Sequence, residues 1–298
     1  MVPTALGVVT LTFLLLHLVP GDPVEVLLGD HALPADRAAL RHALGLDLPI
    51  QTQFLQYMTH LLHGDLGQSL YNGRDVVSLF LERLPATAQL AGAALVFALL
   101  LATPLGIWAA VRKNRWPDHA AMGASLLGFS MPTFWFGPLL IVVFSLWLGW
   151  LPVSGFDTPV SLILPAITLG TGMAAITTRL LRSSLLEVLH AGYIRTAKAK
   201  GATGRAIVLR HALCNALLPV VTVVFLQAGA LLTGAILTEA VFSWPGVGTL
   251  MIEALNRRDY TVVQGGVLFI ATVYMLMTLL ADVVYAFVDP RIRYGGAQ

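Results

Sequence analysis

Charge is what this chain has least of. Only 11% of its 298 residues are Asp, Glu, Lys or Arg, less than half the roughly 25% of an ordinary soluble domain. With 57% hydrophobic residues and a mean hydropathy of +0.78, a soluble single-domain protein of this length is excluded. The 18 basic and 16 acidic side chains leave a net charge of +2, too little for a nucleic-acid surface. One cysteine, Cys214, excludes an intramolecular disulfide and any multi-cysteine metal site within the chain.

Catalytic motifs are scarce as well. None of the three lysines, Lys113, Lys198 and Lys200, follows a glycine, so there is no Gly-Lys-Ser/Thr phosphate loop and no ATP site of that kind. No His-Glu-x-x-His occurs, and His60 with His63, the only close histidine pair, lacks a third metal ligand. Gly123-Ala124-Ser125 lacks the second glycine of a nucleophile elbow. Arg179, Glu239 and Asp282 fall near the ends of apolar runs, where a charge is cheap. A proton- or sodium-coupled carrier keeps ionisable groups near the midplane. The energy for any pumping is therefore expected to come from outside this chain.

What is present is length without charge. An Asp, Lys or Arg at the centre of a spanning helix costs about 2.5–3.5 kcal/mol on insertion scales, so charge-free runs mark candidate spans. Six such runs reach the roughly 20 residues that cross about 30 Å of hydrocarbon: 1–21, 84–111, 119–156, 158–178, 211–238 and 260–281. The chain is thus read as an all-α integral membrane protein with six transmembrane helices. The run 48–64 is shorter and carries three Gln and two His, which reads as an amphipathic element outside the bilayer. Residues 1–20 are read as an anchoring first helix. A cleaved signal is disfavoured by the missing basic n-region and by Pro20-Gly21-Asp22-Pro23 where a small-residue cleavage site would stand.

Lys and Arg in the connections give an orientation. If the six helices alternate, Arg112, Lys113, Arg115, Arg179, Arg182, Arg195, Lys198, Lys200, Arg205, Arg210, Arg291 and Arg293 share one side. Arg37, Arg41, Arg74, Arg83, Arg257 and Arg258 share the other. Twelve against six places the first side, and both termini, in the cytoplasm. Residues 21–85 then form an extracytoplasmic segment, with eight acidic residues against four Arg, expected to pack on the outer helix ends. The core 86–288 follows, and 289–298 forms a cytoplasmic tail.

Two features interrupt this plan. Ser130-Met131-Pro132-Thr133-Phe134-Trp135-Phe136-Gly137-Pro138 places two prolines in the third run, and each removes a backbone donor, so that helix is expected to kink or break at membrane depth. Gly170 and Gly172 in the fourth run, with Gly229 and Gly234 in the fifth, suit close helix packing. The second feature is the connection 182–210. The stretch 183–189 continues a helix, Gly192 breaks it, and Tyr193-Ile194-Arg195-Thr196-Ala197-Lys198-Ala199-Lys200 reads as a second short helix ended by Gly201. Tyr193 and Ala197 share one face, Arg195 and Lys198 another. That pattern fits either a basic helix lying on the anionic inner leaflet or a docking helix for a cytoplasmic partner.

At these residues a resemblance enters. Residues 193–201, followed by Arg210-His211-Ala212-Leu213-Cys214-Asn215-Ala216-Leu217-Leu218-Pro219, resemble the coupling region of permease subunits from bacterial ABC importers of the dipeptide, oligopeptide, nickel and glutathione family. Similar too are His17-Leu18-Val19-Pro20-Gly21-Asp22-Pro23, Gly64-Asp65-Leu66-Gly67, Ser130-Met131-Pro132, Leu151-Pro152-Val153-Ser154-Gly155, Phe242-Ser243-Trp244-Pro245-Gly246, Arg257-Arg258-Asp259-Tyr260 and Asp289-Pro290-Arg291-Ile292-Arg293. The likeness leans towards the dipeptide-type member. Arg195-Thr196-Ala197 before Gly201 follows the peptide branch, whereas Cys214 stands where many importers carry Pro, and the outer connection after Gly155 is short for a dipeptide permease.

The resemblance implies a type I ABC importer transmembrane domain (MetI-like) and a non-enzymatic permease in the bacterial inner membrane. It implies as partners a homologous second permease, two cytoplasmic ATPases that bind ATP and Mg, and an extracytoplasmic substrate-binding protein, with no cofactor or metal held by this chain. Coupling to the ATPases is then expected through Glu187, Tyr193, Arg195, Thr196, Ala197, Lys198, Ala199, Lys200 and Gly201. The translocation path is expected near Ser130, Met131, Pro132, Gln227 and Gly234. Contact with the binding protein or outer gate is expected at Trp244, Arg257, Arg258 and Asp259. A stand-alone channel or ion-coupled carrier, or a scaffold with no transport role, is the competing class.

Overall fold

The computed structural model describes residues 2–18, 24, 28, 33–43 and 45–288. Residues 19–23 of the first family-like stretch, and the tail 289–298 with Asp289 to Arg293, lie outside the described residues. Among the described residues every regular element is helical, save one isolated bridge between Gln68 and Asp75. Two compact units emerge: residues 1–87 with 245–273, and residues 88–244 with the chain from Tyr274 onward.

In the first unit lie α1 (Val2–Leu18), α2 (Pro34–Ala43), α3 (Ile50–Leu62) and the start of α4 (Val76–Val111). The amphipathic run expected outside the bilayer is α3, whose Phe54 meets Phe13 of α1 edge-on at 5.2 Å. Gly64, at φ +76, closes α3: its N–H reaches the Leu61 carbonyl and the Asp65 N–H reaches that of His60. Asp65 then accepts from the Gly67 amide at 2.8 Å, and that bond, with His60 beside it, holds its carboxyl below the usual carboxylate range. Asp75 caps α4 through the Ser78 amide at 2.8 Å. The same unit holds α11 (Val247–Asn256) and the first part of α12 (Tyr260–Val288). Phe80, Val76, Val247, Leu250 and Val262 form its core, which joins the start of α4 to α11 and α12.

The second unit carries α5 (Trp116–Ser130), α6 (Thr133–Leu140), a π-helical turn Ile141–Trp147, α7 (Ile163–Leu189) preceded by a 3₁₀ turn Pro159–Leu162, α8 (Gly192–Ala199), the single turn α9 (Gly204–Ala206), a second π-helical stretch Ile207–Ala212 and α10 (Leu213–Phe242). Gly170 shows why its helices approach so closely: a Cβ there would lie 2.6 Å from the Ala94 carbonyl oxygen of α4. Gly172 faces open space instead.

Among the described residues, four helices are long and apolar enough to cross a membrane, or up to six if each of two bent helix pairs counts as one span. α1 is 17 residues long among the described residues, about 25 Å at 1.5 Å per residue. Helices extend past several of the charge-free runs, because a charge at an aqueous helix end does not stop a helix. α7, for instance, runs on through Arg179, Arg182 and Glu187 to Leu189.

Candidate functional site

The third run does break at its first proline. Met131 and Pro132 are both extended (ψ 120° and 135°), since the residue before a proline is pushed out of the helical region. Trp116–Ser130 and Thr133–Trp147 consequently meet at a bend of 106°. Ser130 and Pro132 are exposed and Met131 half-buried. Beyond the break, Gly137 lets α6 lie on α7 and α10, where an added Cβ would be 3.2 Å from Phe242 and 3.4 Å from Thr168.

The other two residues expected on a path lie in α10. Gln227 is half-buried, and its amide nitrogen is inaccessible and without a hydrogen bond among the described residues. Gly234 lies within the same helix. Glu239 requires a correction. It was placed near an interface where charge is cheap, yet it is fully buried and has an interaction partner. A place at the end of the fifth charge-free run does not reveal whether the rest of the chain folds over a residue. Arg179 and Asp282 are exposed.

The connection 182–210 is built as two helices joined at His190 and Ala191, with Gly192 opening the second, α8. Gly201 ends α8 at φ +81: its N–H bonds the Lys198 carbonyl, and the Ala202 N–H bonds the Ala197 carbonyl at 3.2 Å. This paired closure needs a residue in the left-handed region, where glycine has no Cβ cost. Ile194 anchors α8. It is fully buried among Leu181 and Leu185 of α7, Ala110 of α4, Ile207 and Ala212 of the π stretch, and Ala216 and Val220 of α10. Burial of such a side chain is worth about 1.5–3 kcal/mol.

The remaining residues of α8 face away. Arg195, Thr196, Lys198, Ala199 and Lys200 are exposed, Ala197 is half-buried, and Glu187 on the last turns of α7 is exposed. Tyr193 straddles the two faces. The residue is 44% exposed, while its hydroxyl accepts from Asn215 Nδ2 at 2.8 Å and lies 3.5 Å from the His211 carbonyl oxygen.

One tie in this region carried no advance signal. Arg182 of α7 donates from Nε to Asp118 Oδ1 at 2.5 Å and from Nη2 to Oδ2 at 2.7 Å, and Asp118 is 2% exposed. Asp118 Oδ2 also accepts from the Asn114 amide at 2.8 Å. The turn 112–115 and the connection 182–210, two of the basic clusters assigned to one side, therefore meet through this carboxylate. Arg115-Trp116-Pro117-Asp118 reads as a helix start, but the 64-residue separation hides the partner. Ile194 and Asn215 were missed for a similar reason, because periodicity does not rank one apolar residue in a mostly polar helix as its anchor.

The outer candidates divide. Trp244 is 1% exposed and meets the Phe156 ring edge-on at 4.7 Å. Asp259 is 4% exposed; Ser69 Oγ donates to its Oδ2 at 2.5 Å, and its Oδ1 accepts from the Val262 amide at 3.3 Å, capping α12. Arg257 is exposed and lies over the Tyr71 ring at 4.4 Å, and Arg258 is exposed at φ +54. Of the close histidine pair, His60 Nδ1 lies 3.0 Å from Asp65 and His63 Nδ1 2.7 Å from the Thr59 carbonyl.

Residues 2–91 match the N-terminal family of binding-protein-dependent transport system membrane components, and residues 102–294 match the family of binding-protein-dependent transport system inner membrane components. The chain belongs to this family. It is 44% identical over 325 residues to the dipeptide transport system permease protein of Escherichia coli K12, covering 98% of this chain and 96% of that protein. It is 45% identical over 323 residues to a di/tripeptide transport system permease protein of Pseudomonas aeruginosa (99% and 96% covered). Against the glutathione transport system permease protein of Salmonella choleraesuis it is 44% identical over 294 residues, with the same coverage. The inward-facing MetNI methionine ABC transporter shares the fold, with a TM-score of 0.59 at 18% identity over 72% of this chain and 97% of that one. The chain is thus a multi-pass membrane permease of the type I importer fold. Its relatives are permease subunits rather than enzymes.

Proposed function

We propose that this chain forms half of the translocation path of an ATP-driven importer of short peptides. A homologous second permease, two cytoplasmic ATPases that bind ATP and Mg, and an extracytoplasmic binding protein would complete the transporter, with both termini of this chain in the cytoplasm. The observation that carries the reading is α8, a two-turn helix with an exposed basic face and one buried anchor, Ile194. A helix lying flat on a membrane would bury an apolar stripe in lipid, whereas α8 spends its apolar side chain on the protein and leaves Arg195, Thr196 and Lys198 for an ATPase groove.

Closure of the ATPases on ATP would move α8 with α7 and α10 and change the path at the Pro132 break. ATP does this only by binding one state better than the other. Gln227 and Gly234 of α10 would belong to the same path. Exposed Arg257 and Arg258 would meet the binding protein.

A second substrate reading has a specific observation in its favour. The alignment to the dipeptide permease spans 325 residues, longer than this chain, whereas that to the glutathione permease spans 294. Glutathione, a tripeptide, stays within the same chemical class. Reconstitution with the partner subunits decides: ATP-dependent uptake of dipeptide or glutathione is the expected result, and uptake by this chain alone without ATPases would overturn the importer reading.

A further inference from the structure

The bidentate pair between Asp118, which is 2% exposed, and Arg182 joins α5 to α7, and it stands where the importer reading needs a mechanical link. We infer that Asp118 is a positioning residue that transmits the movement of α8 to the broken helix at Pro132.

The end of α7 is shared by both contacts. Its last turns carry Arg182 on one side and Leu181 and Leu185, both fully buried against Ile194, on the other. Ser184 of the same turns donates to the Ala216 carbonyl of α10 at 2.9 Å. α8, the end of α7 and the start of α10 are therefore one packed block, and displacing α8 displaces Arg182. The guanidinium grips both oxygens of Asp118 in parallel, a geometry that fixes orientation as well as distance. Asp118 is in turn held by the Asn114 amide, and Asn114 occupies the left-handed region at φ +61 without being glycine. The turn preceding α5 is built around this carboxylate.

From Asp118 to the break at Met131 and Pro132, α5 is uninterrupted, so a shift at its start travels about 20 Å along a rigid rod before the backbone changes direction by 106°. A single carboxylate joining α5 to α7 is thus the charged contact through which α8 reaches the part of the path that can hinge. Apolar packing between α5 and α7 can slide; a two-bond fork between a half-buried guanidinium and a buried carboxylate fixes both distance and orientation.

This inference rests on the importer reading, and the test separates the two. The assembled transporter, this chain with its partner subunits, is reconstituted in liposomes, and ATP hydrolysis and uptake are measured with alanyl-alanine and with glutathione. If the unaltered complex imports neither, the importer reading fails first. If it imports one, Asp118→Asn and Arg182→Lys, purified at unchanged subunit stoichiometry, are expected to hydrolyse ATP while uptake per ATP drops about tenfold, the size of an ordinary coupling free energy. The exchanged pair Asp118→Arg with Arg182→Asp is expected to recover part of that loss. Uptake per ATP unchanged in either single variant overturns the inference. So does failure of both variants to assemble, because the pair would then be an element of folding alone.

Discussion

Tyr193 on α8 accepts a hydrogen bond from Asn215 on α10 at 2.8 Å. The two residues are 22 positions apart, and their contact spans the turn α9 and the π stretch Ile207–Ala212. A π turn widens the helix and redirects the side chains that follow, and here Asn215 of the next turn meets the phenol. Both partners are exposed, so losing the bond leaves no buried polar group stranded. Tyr193→Phe and Asn215→Ala are each expected to cost about 1 kcal/mol or less of thermal stability. The double variant is expected to cost less than the sum. Strict additivity in melting of the purified chain would show that the hydrogen bond contributes nothing to holding α8.

Gly201 separates backbone strain from packing. Nothing lies within 4 Å of the position a Cβ would take, so a larger residue meets only the φ of +81. Gly201→Val is expected to destabilise by about 1–2 kcal/mol through that conformation, and Gly201→Asn by less, because asparagine visits the left-handed region more readily. Because this closure fixes the end of α8, the same order is expected in uptake by the assembled transporter. Equal behaviour of the two variants would count against the cap as the feature that shapes α8.

Gly170 and Gly172 give an internal control for the contact between α4 and α7. A Cβ on Gly170 would lie 2.6 Å from the Ala94 oxygen and 2.8 Å from the Phe97 ring, while one on Gly172 meets nothing within 4 Å. Gly170→Ala is therefore expected to cost about 1–3 kcal/mol as an overpacked contact. Gly172→Ala should be neutral or slightly stabilising, since alanine is the better helix former. Detergent melting curves of the two variants would settle the comparison.

These pairs also mark what a sequence makes visible. The spans were legible because lipid penalises charge over long stretches, so a run such as 260–281 reports its helix from composition alone. The break at Pro132 and the cap at Gly201 were legible because each depends on the backbone chemistry of one residue. Asp118, Ile194 and Asn215 were not, because their roles arise from partners on other helical elements. Glu239 was misread on the same ground, as burial is decided by what folds over a residue.

The Arg257-Arg258-Asp259 turn separates structural residues from contact residues most sharply. Asp259 is occupied three times, by Ser69 Oγ on Oδ2 and by the Leu70 and Val262 amides on Oδ1. Asp259→Ala removes a helix cap worth about 1 kcal/mol and leaves the buried Ser69 hydroxyl without that partner, at about 1–3 kcal/mol. The variant should melt clearly lower. Arg258 presents the opposite case, being exposed and forced to φ +54 at the position just past the end of α11. Glycine is better suited there, so Arg258→Gly is expected to raise stability by about 1 kcal/mol. If the exposed arginine meets the binding protein, that more stable variant should lose part of the ATPase stimulation that the binding protein elicits, a divergence that fold damage cannot produce. Full stimulation in Arg258→Gly would remove Arg258 from the contact surface and leave the turn a purely structural one.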